Sequence, residues 1–224
     1  MIEDDFLVAT RTFYDAVAED YAEQFRDHLR ERPLERALLG GFAEMVGNGG
    51  SVADLGCGTG VATAYLASLG VDVFGIDLSE SMLAVARRRH PELRFQQGSM
   101  LDLDLADGSL AGAVSWYSSI HTPVGELPAL FAEFHRVLRP GGHLLLAFQV
   151  GEETRRHDQP WGHPVVLDFH RRRPERIAEL LEDAGFALGS STVRASEERA
   201  GESGPQAFLF AREHSGPAGA QERF

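Results

Sequence analysis

Asp54-Leu55-Gly56-Cys57-Gly58-Thr59-Gly60 is the stretch from which the rest of the chain can be read. It grows out of a short apolar run, Ser51-Val52-Ala53-Asp54-Leu55, which has the length and residue types of a buried strand. A helical segment through Tyr65 and Leu69 follows it. Glycines between a strand and a helix let the backbone turn sharply and approach a ligand closely. A second strand, Val71 to Asp77, ends on a carboxylate about 20 residues further on, where dinucleotide folds place the acid that grips ribose hydroxyls. The glycine spacing itself departs from the dinucleotide fingerprint G-x-G-x-x-G. The third glycine would fall at position 61, which is Val61. The pattern here is G-x-G-x-G, and that spacing tilts against a nicotinamide cofactor.

Strand and helix alternate onward from this loop. Ser79 is placed to N-cap a helix carrying Met82, Leu83 and Val85, which ends before Pro91. Leu93 to Gln97, Ala111 to Tyr117 and His143 to Val150 read as strands, with a helix from Glu126 to Leu138 and a Pro-Gly turn at Arg139 to Gly142. A helix opened by Pro174 and two strands, near Ala187 to Ala195 and Gln206 to Arg212, complete the pattern. Upstream, Phe13, Val17, Tyr21 and Phe25 recur at i+4 on a helix from Thr10 to Arg30, and a second helix runs from Leu34 to Val46. The expected fold class is α/β: a Rossmann-like, seven-stranded, mostly parallel sheet with helices on both faces and an antiparallel last strand. Residues 1–212 are expected to form one domain, with 1–46 as a helical lid. Residues 151–173, where periodicity fades, read as a substrate-side insertion, and 213–224 as a disordered tail.

The run from Val52 to Val150 resembles the class I S-adenosylmethionine-dependent methyltransferases. The resemblance implies that Asp54, Gly56, Cys57 and Gly58 lie against the methionine and ribose parts of the donor, and that Asp77 holds the ribose with Leu78 beside it. It places Met82 near the adenine, and Ser99 and Met100 at the adenine edge. Many relatives carry an Asp at the position of Ser99; a hydroxyl there can accept a hydrogen bond only without charge assistance, and Asp102 is a candidate substitute. Trp116 to His121 is similar to the segment that offers a main-chain carbonyl to the methionine amino group and faces the acceptor. Glu133 to Gly142 is similar to the helix and turn before the fifth strand, and Phe13 to Tyr21 to the helix that covers the cofactor in many small-molecule methyltransferases. Tyr21 then joins the cofactor contacts, while Tyr14, Tyr117, His121 and Trp161 are the expected acceptor contacts. His121, an imidazole that titrates near neutrality, is the expected general base.

Composition narrows the partners. The chain has 224 residues, a net charge of -13 and no lysine, so every basic side chain counted is an arginine. It lacks the basic footprint of a nucleic-acid binder. The single cysteine, Cys57, forbids an intrachain disulfide, the acidic start is unlike a signal peptide, and no apolar run reaches the ~20 residues of a membrane span. A cytoplasmic protein without membrane or nucleic-acid partners is expected. His157, His163 and His170 lack the i, i+4 pairing of metal ligands, so no metal is expected. Arg155, Arg156 and Arg171 to Arg173 read first as a solvated face and second as a grip for an anionic acceptor.

The resemblance implies methyl transfer from S-adenosylmethionine, with S-adenosylhomocysteine as product, to N or O of a small-molecule acceptor in specialised metabolism. A protein or RNA methyltransferase, or a non-catalytic cofactor-binding module that regulates or scaffolds a partner, are the alternatives. Oligomeric state and the acceptor's identity are not legible in the sequence.

Overall fold

Central strands buried on both faces have no polar side to show, and their sequences run largely apolar. A computed structural model describes residues 5–197 and 202–214. Its seven-stranded sheet has the order β3-β2-β1-β4-β5-β9-β8. The strands are β1 (Val52–Leu55), β2 (Val73–Asp77), β3 (Arg94–Gln97), β4 (Leu110–Trp116), β5 (Leu138–Gln149), β8 (Phe186–Arg194) and β9 (Gln206–Glu213). The pairs β1–β2, β1–β4, β2–β3 and β4–β5 are parallel; β9 is antiparallel to both neighbours. The turn at Arg139 to Gly142 sits inside β5 as a bulge, because β4 skips from Leu138 to His143 in its register.

Helices cover both faces. On one, α2 (Pro33–Val46) and α3 (Val61–Ser68) bury Leu39, Phe42, Val46 and Leu66 against Val52, Val114 and Leu145. On the other, α5 (Leu127–Val137) presents Leu127, Leu130, Phe131, Phe134 and Val137 as one buried stripe, joined by Ile177, Leu180 and Leu181 of α6 (Pro174–Asp183). The sequence reading made all of 1–46 a lid, but α2 is a layer of the core. Gly112 marks how closely it packs: a Cβ there would come within 2.8 Å of the Phe42 ring.

The remaining helix, α1 (Asp5–Gln24), lies across the carboxyl ends of the strands. It is clasped from two sides. Ala18 and Ala22 pack on Met82 and Val85 of α4 (Glu80–Arg89), and Phe13 and Val17 pack on Leu167. Leu167 belongs to a hairpin the sequence reading did not contain. Residues 151–173 form antiparallel strands β6 (Thr154–Asp158) and β7 (Val166–His170) where an irregular insertion was expected. β6 is exposed along its whole length, so it carries no apolar alternation by which to be recognised.

The last strand also runs one residue past its expected end. Glu213 is 4% exposed, and its carboxylate accepts the Gly141 N–H at 2.7 Å. Residues 215–224 of the expected tail lie outside the described residues. Among the described residues no helix is long and apolar enough to cross a membrane.

Candidate active site

In this strand order the chain reverses direction of travel between β1 and β4, and open α/β sheets bind ligands in the crevice at such a switch point. A cavity of about 470 Å³ occupies it. The wall contains Asp54, Gly56, Cys57 and Gly58 from the first loop, Asp77, Leu78 and Met82 after β2, and Ser99 and Met100 after β3. Trp116, Tyr117 and His121 enter from the end of β4, and Tyr14 and Tyr21 from α1.

Hydrogen bonds to backbone fix the loop. The Gly56 and Cys57 N–H groups both donate to the Ile76 carbonyl, at 2.7 and 3.0 Å. Gly56 has φ +72°, and a Cβ there would stand 2.3 Å from Cβ of Ser118. Gly58 is different: its φ is +54°, and a Cβ would meet nothing within 4 Å, so that face of the loop is left open to the cavity. The Asp77 carboxylate spans the two loops beneath it, taking the Gly58 N–H at 2.7 Å and the Ser79 N–H at 2.8 Å. Burial pushes its pKa up to about 6, against the pull of those amides.

Asp77, not Asp54, takes the amides at this end of the cavity. Asp54 is 0% exposed and accepts the Thr63 hydroxyl at 2.6 Å through Oδ2. Its Oδ1 is buried with no hydrogen-bond partner among the described residues. Burial pushes the Asp54 pKa up to about 7, with the Thr63 hydroxyl opposing. Two carboxylates held above their ordinary range by desolvation leave this end of the cavity suited to a cationic ligand.

The other end is aromatic. The Tyr14 hydroxyl and His121 Nε2 are 2.8 Å apart, and His121 Nδ1 is 3.3 Å from the Asp168 carbonyl. A carbonyl only accepts, so Nδ1 carries the proton and Nε2 accepts from Tyr14. Burial lowers the His121 pKa to about 4, which corrects the near-neutral titration expected of it, and raises that of Tyr14 well above its ordinary value, so both are neutral at rest. Phe169 packs edge-on against the imidazole, with ring centroids 4.6 Å apart. Tyr117 stands at the end of β4 with φ +57°, a conformation disfavoured for a bulky side chain and found where surrounding structure enforces it. Nearby, Arg194 pairs with Glu202 at 2.7 Å and Glu35 at 3.2 Å, and its charge opposes the upward shift that burial gives the Tyr117 phenol.

Trp161 corrects an expectation: it was an expected acceptor contact, but it does not line the cavity. It is 44% exposed, has φ +48°, and its indole N–H donates to Gln24 Oε1 at 3.1 Å. The hairpin turns its tip onto the outside of α1, and Phe169 and His157 face the cavity instead. Asp102 is exposed and does not take over the adenine edge from Ser99, whose hydroxyl is itself 3.2 Å from the Leu101 N–H. His157 and Phe169 belong to the substrate-side insertion read from the sequence, and Ser118 to the acceptor-facing segment Trp116 to His121. What sequence reasoning missed is the role of Asp15, whose one signal was its place beside Tyr14 on the covering helix.

Comparison with known proteins decides the family. A family model described as a methyltransferase domain matches residues 52–142. Over 192 residues the chain is 30% identical to dTDP-3-amino-3,4,6-trideoxy-alpha-D-glucopyranose N,N-dimethyltransferase of Streptomyces venezuelae, covering 80% of this chain and 70% of that protein. The chain belongs to the class I S-adenosylmethionine-dependent methyltransferases. A demethylmenaquinone methyltransferase of Paenarthrobacter aurescens is 39% identical over 184 residues, 80% of this chain and 66% of that one. The chain spans about half the length of other curated relatives it matches, from 44% to 53%. The fold is shared with magnesium protoporphyrin IX methyltransferase from Synechocystis PCC 6803 with bound S-adenosylmethionine: TM-score 0.72, 17% identity, 95% of this chain and 99% of that one.

The methyltransferase's own residues fit the family's donor. Gly58 leaves room where a side chain would intrude, Asp77 ends β2 with its carboxylate in the cavity wall, and Asp54 keeps a buried, unpartnered oxygen beside the loop.

Proposed function

We propose that this methyltransferase moves a methyl group from S-adenosylmethionine to an oxygen or nitrogen of a small, largely planar molecule. The observation that carries the proposal is that the donor loop and the Tyr14–His121 hydrogen bond share one cavity. The relatives from Streptomyces venezuelae and Paenarthrobacter aurescens, named for an amino sugar and a quinone precursor, support a small-molecule acceptor. So does a net charge of -13, which repels nucleic acid.

The donor, when bound, supplies an activated methyl group whose leaving sulfur departs neutral. The protein's task is to align, to exclude water and to take a proton. Asp77 and the glycine loop hold the ribose end. Tyr21 lies on the donor side beside Met82, and Tyr14, Tyr117 and Phe169 hold the acceptor among rings and keep water out. His121 is the terminal base. Because Tyr14 caps its Nε2, the acceptor's proton goes to the Tyr14 oxygen while Tyr14 hands its own proton to Nε2. No tyrosinate forms, which is the arrangement a raised phenol pKa requires.

The test is incubation with S-adenosylmethionine and a panel of phenols, hydroxyquinols and amines, with S-adenosylhomocysteine quantified by mass spectrometry. Donor-dependent methylation of at least one member is expected. Tight NADH binding with no binding of either sulfur ligand would refute the proposal.

A further inference from the structure

Next to Tyr14 on α1, Asp15 points the other way, to the donor loop. Its Oδ1 accepts the Ser79 hydroxyl at 2.6 Å and the Ser81 N–H at 3.1 Å. Ser79 is the N-cap of α4, and its own Oγ accepts the Met82 N–H at 3.1 Å. Ser79 also gives its N–H to Asp77. One serine thus joins three things: the cap of α4, the carboxylate of the donor loop, and α1. A carboxylate at a helix N-terminus is favoured by the helix dipole, so Asp15 acts as a second cap supplied from another helix.

Successive helical residues project about 100° apart, so Tyr14 and Asp15 face different neighbours. Tyr14 meets His121 on the β4 side, and Asp15 meets Ser79 on the β2 side. The helix between these contacts is rigid. A shift of α1 that breaks one moves the other.

We propose that Asp15 is a positioning residue that couples the two halves of the site. It holds α1 on the donor loop and thereby holds the Tyr14 hydroxyl on His121 Nε2. The coupling rests on the proposed function only for what it accomplishes; the linkage itself is a property of the protein.

Nitrogen NMR on ¹⁵N-histidine-labelled protein tests it, with S-adenosylhomocysteine as the donor-site probe. Tyr14→Phe defines the His121 Nε2 resonance when the hydrogen bond is absent. Asp15→Ala is expected to move Nε2 toward that position and to weaken S-adenosylhomocysteine about tenfold by calorimetry, the loss of one charge-assisted hydrogen bond. Asp15→Asn keeps an acceptor oxygen and is expected to restore both readouts. If Asp15→Ala does not fold, Ser79→Ala breaks the same bond from the other side and is expected to move Nε2 likewise. An Asp15→Ala protein with the wild-type Nε2 resonance overturns the coupling, whatever its affinity. A wild-type protein that shows the Nε2 bond but does not bind S-adenosylhomocysteine leaves the linkage standing and overturns the donor assignment.

Discussion

In the donor half of the cavity the loop is held by main-chain N–H donors over short sequence distances, with Asp15 of α1 the one distant side chain described above. Gly56 and Cys57 donate to Ile76, and Gly58 and Ser79 donate to Asp77, all within about two dozen residues of a βαβ unit. In the acceptor half they run between side chains, or from side chain to carbonyl, across the chain: Tyr14 to His121 over 107 residues, His121 to Asp168 over 47. The donor half presents a fixed shape made of main chain, which tolerates few changes. The acceptor half is assembled from α1, the end of β4 and a hairpin, and of these α1 and the hairpin lie outside the seven-stranded sheet. A family that keeps its donor and varies its acceptor needs that division.

The comparison breaks most sharply at His121. His121→Ala is expected to lower turnover about 10²–10⁴-fold, the usual contribution of a general base, while S-adenosylhomocysteine affinity in calorimetry stays near wild type. Equal losses of turnover and donor affinity would mean that the two halves are not separable.

Asp77→Ala attacks the other half. Each lost charge-assisted hydrogen bond to a ligand costs about 1.5–3 kcal/mol, and the Gly58 and Ser79 amides lose their acceptor as well. A drop in S-adenosylhomocysteine affinity on the order of 100-fold is expected.

A pH effect separates the halves by charge. Asp54 and Asp77 titrate near 7 and 6, raised by burial. The folded protein therefore binds protons that the unfolded chain has already released, so the ligand-free fold is most favoured near pH 4 and loses this contribution as pH rises to about 7. A cationic donor prefers the ionised carboxylates, so its binding releases protons and tightens over the same range. Calorimetry in buffers of different ionisation enthalpy reads the proton count. Asp54→Asn should reduce it, and an unchanged count would assign the protons elsewhere.

The smallest effect expected is at Trp161. Trp161→Ala removes only a peripheral bond to Gln24, and turnover should change less than about twofold, as for most exposed positions. A large fall in turnover would return Trp161 to the acceptor wall.

How much of this the sequence disclosed follows the same division. The strand before Asp54, the glycine loop and Asp77 announce themselves because their spacing is a local pattern. The seven-stranded, mostly parallel sheet follows from alternating strand and helix, but its strand order, with β9 between β5 and β8, does not. Tyr14, Tyr21, Tyr117 and His121 could be nominated as rings and an imidazole near the right edge, but not paired, since no local rule relates position 14 to 121. Strand β6 was invisible because every one of its residues is exposed, and Trp161 was misplaced with it. The bond of Asp54 to Thr63 was likewise not legible, because Thr63 lies in the first turn of the helix that follows the loop and belongs to no loop pattern.

The position of β9 bears on how the protein is made. This strand follows β8 in sequence, yet it lies between β5 and β8 in the sheet. A ribosome will therefore have released β8 from its exit tunnel before the strand that must separate it from β5 is free to move. Until Glu213 has emerged, β5 has an open edge and β8 has no partner. Nascent chains with such an edge are templates for wrong pairing. The sheet closes only after synthesis has passed Glu213, and chaperone binding to stalled nascent chains should fall at that length.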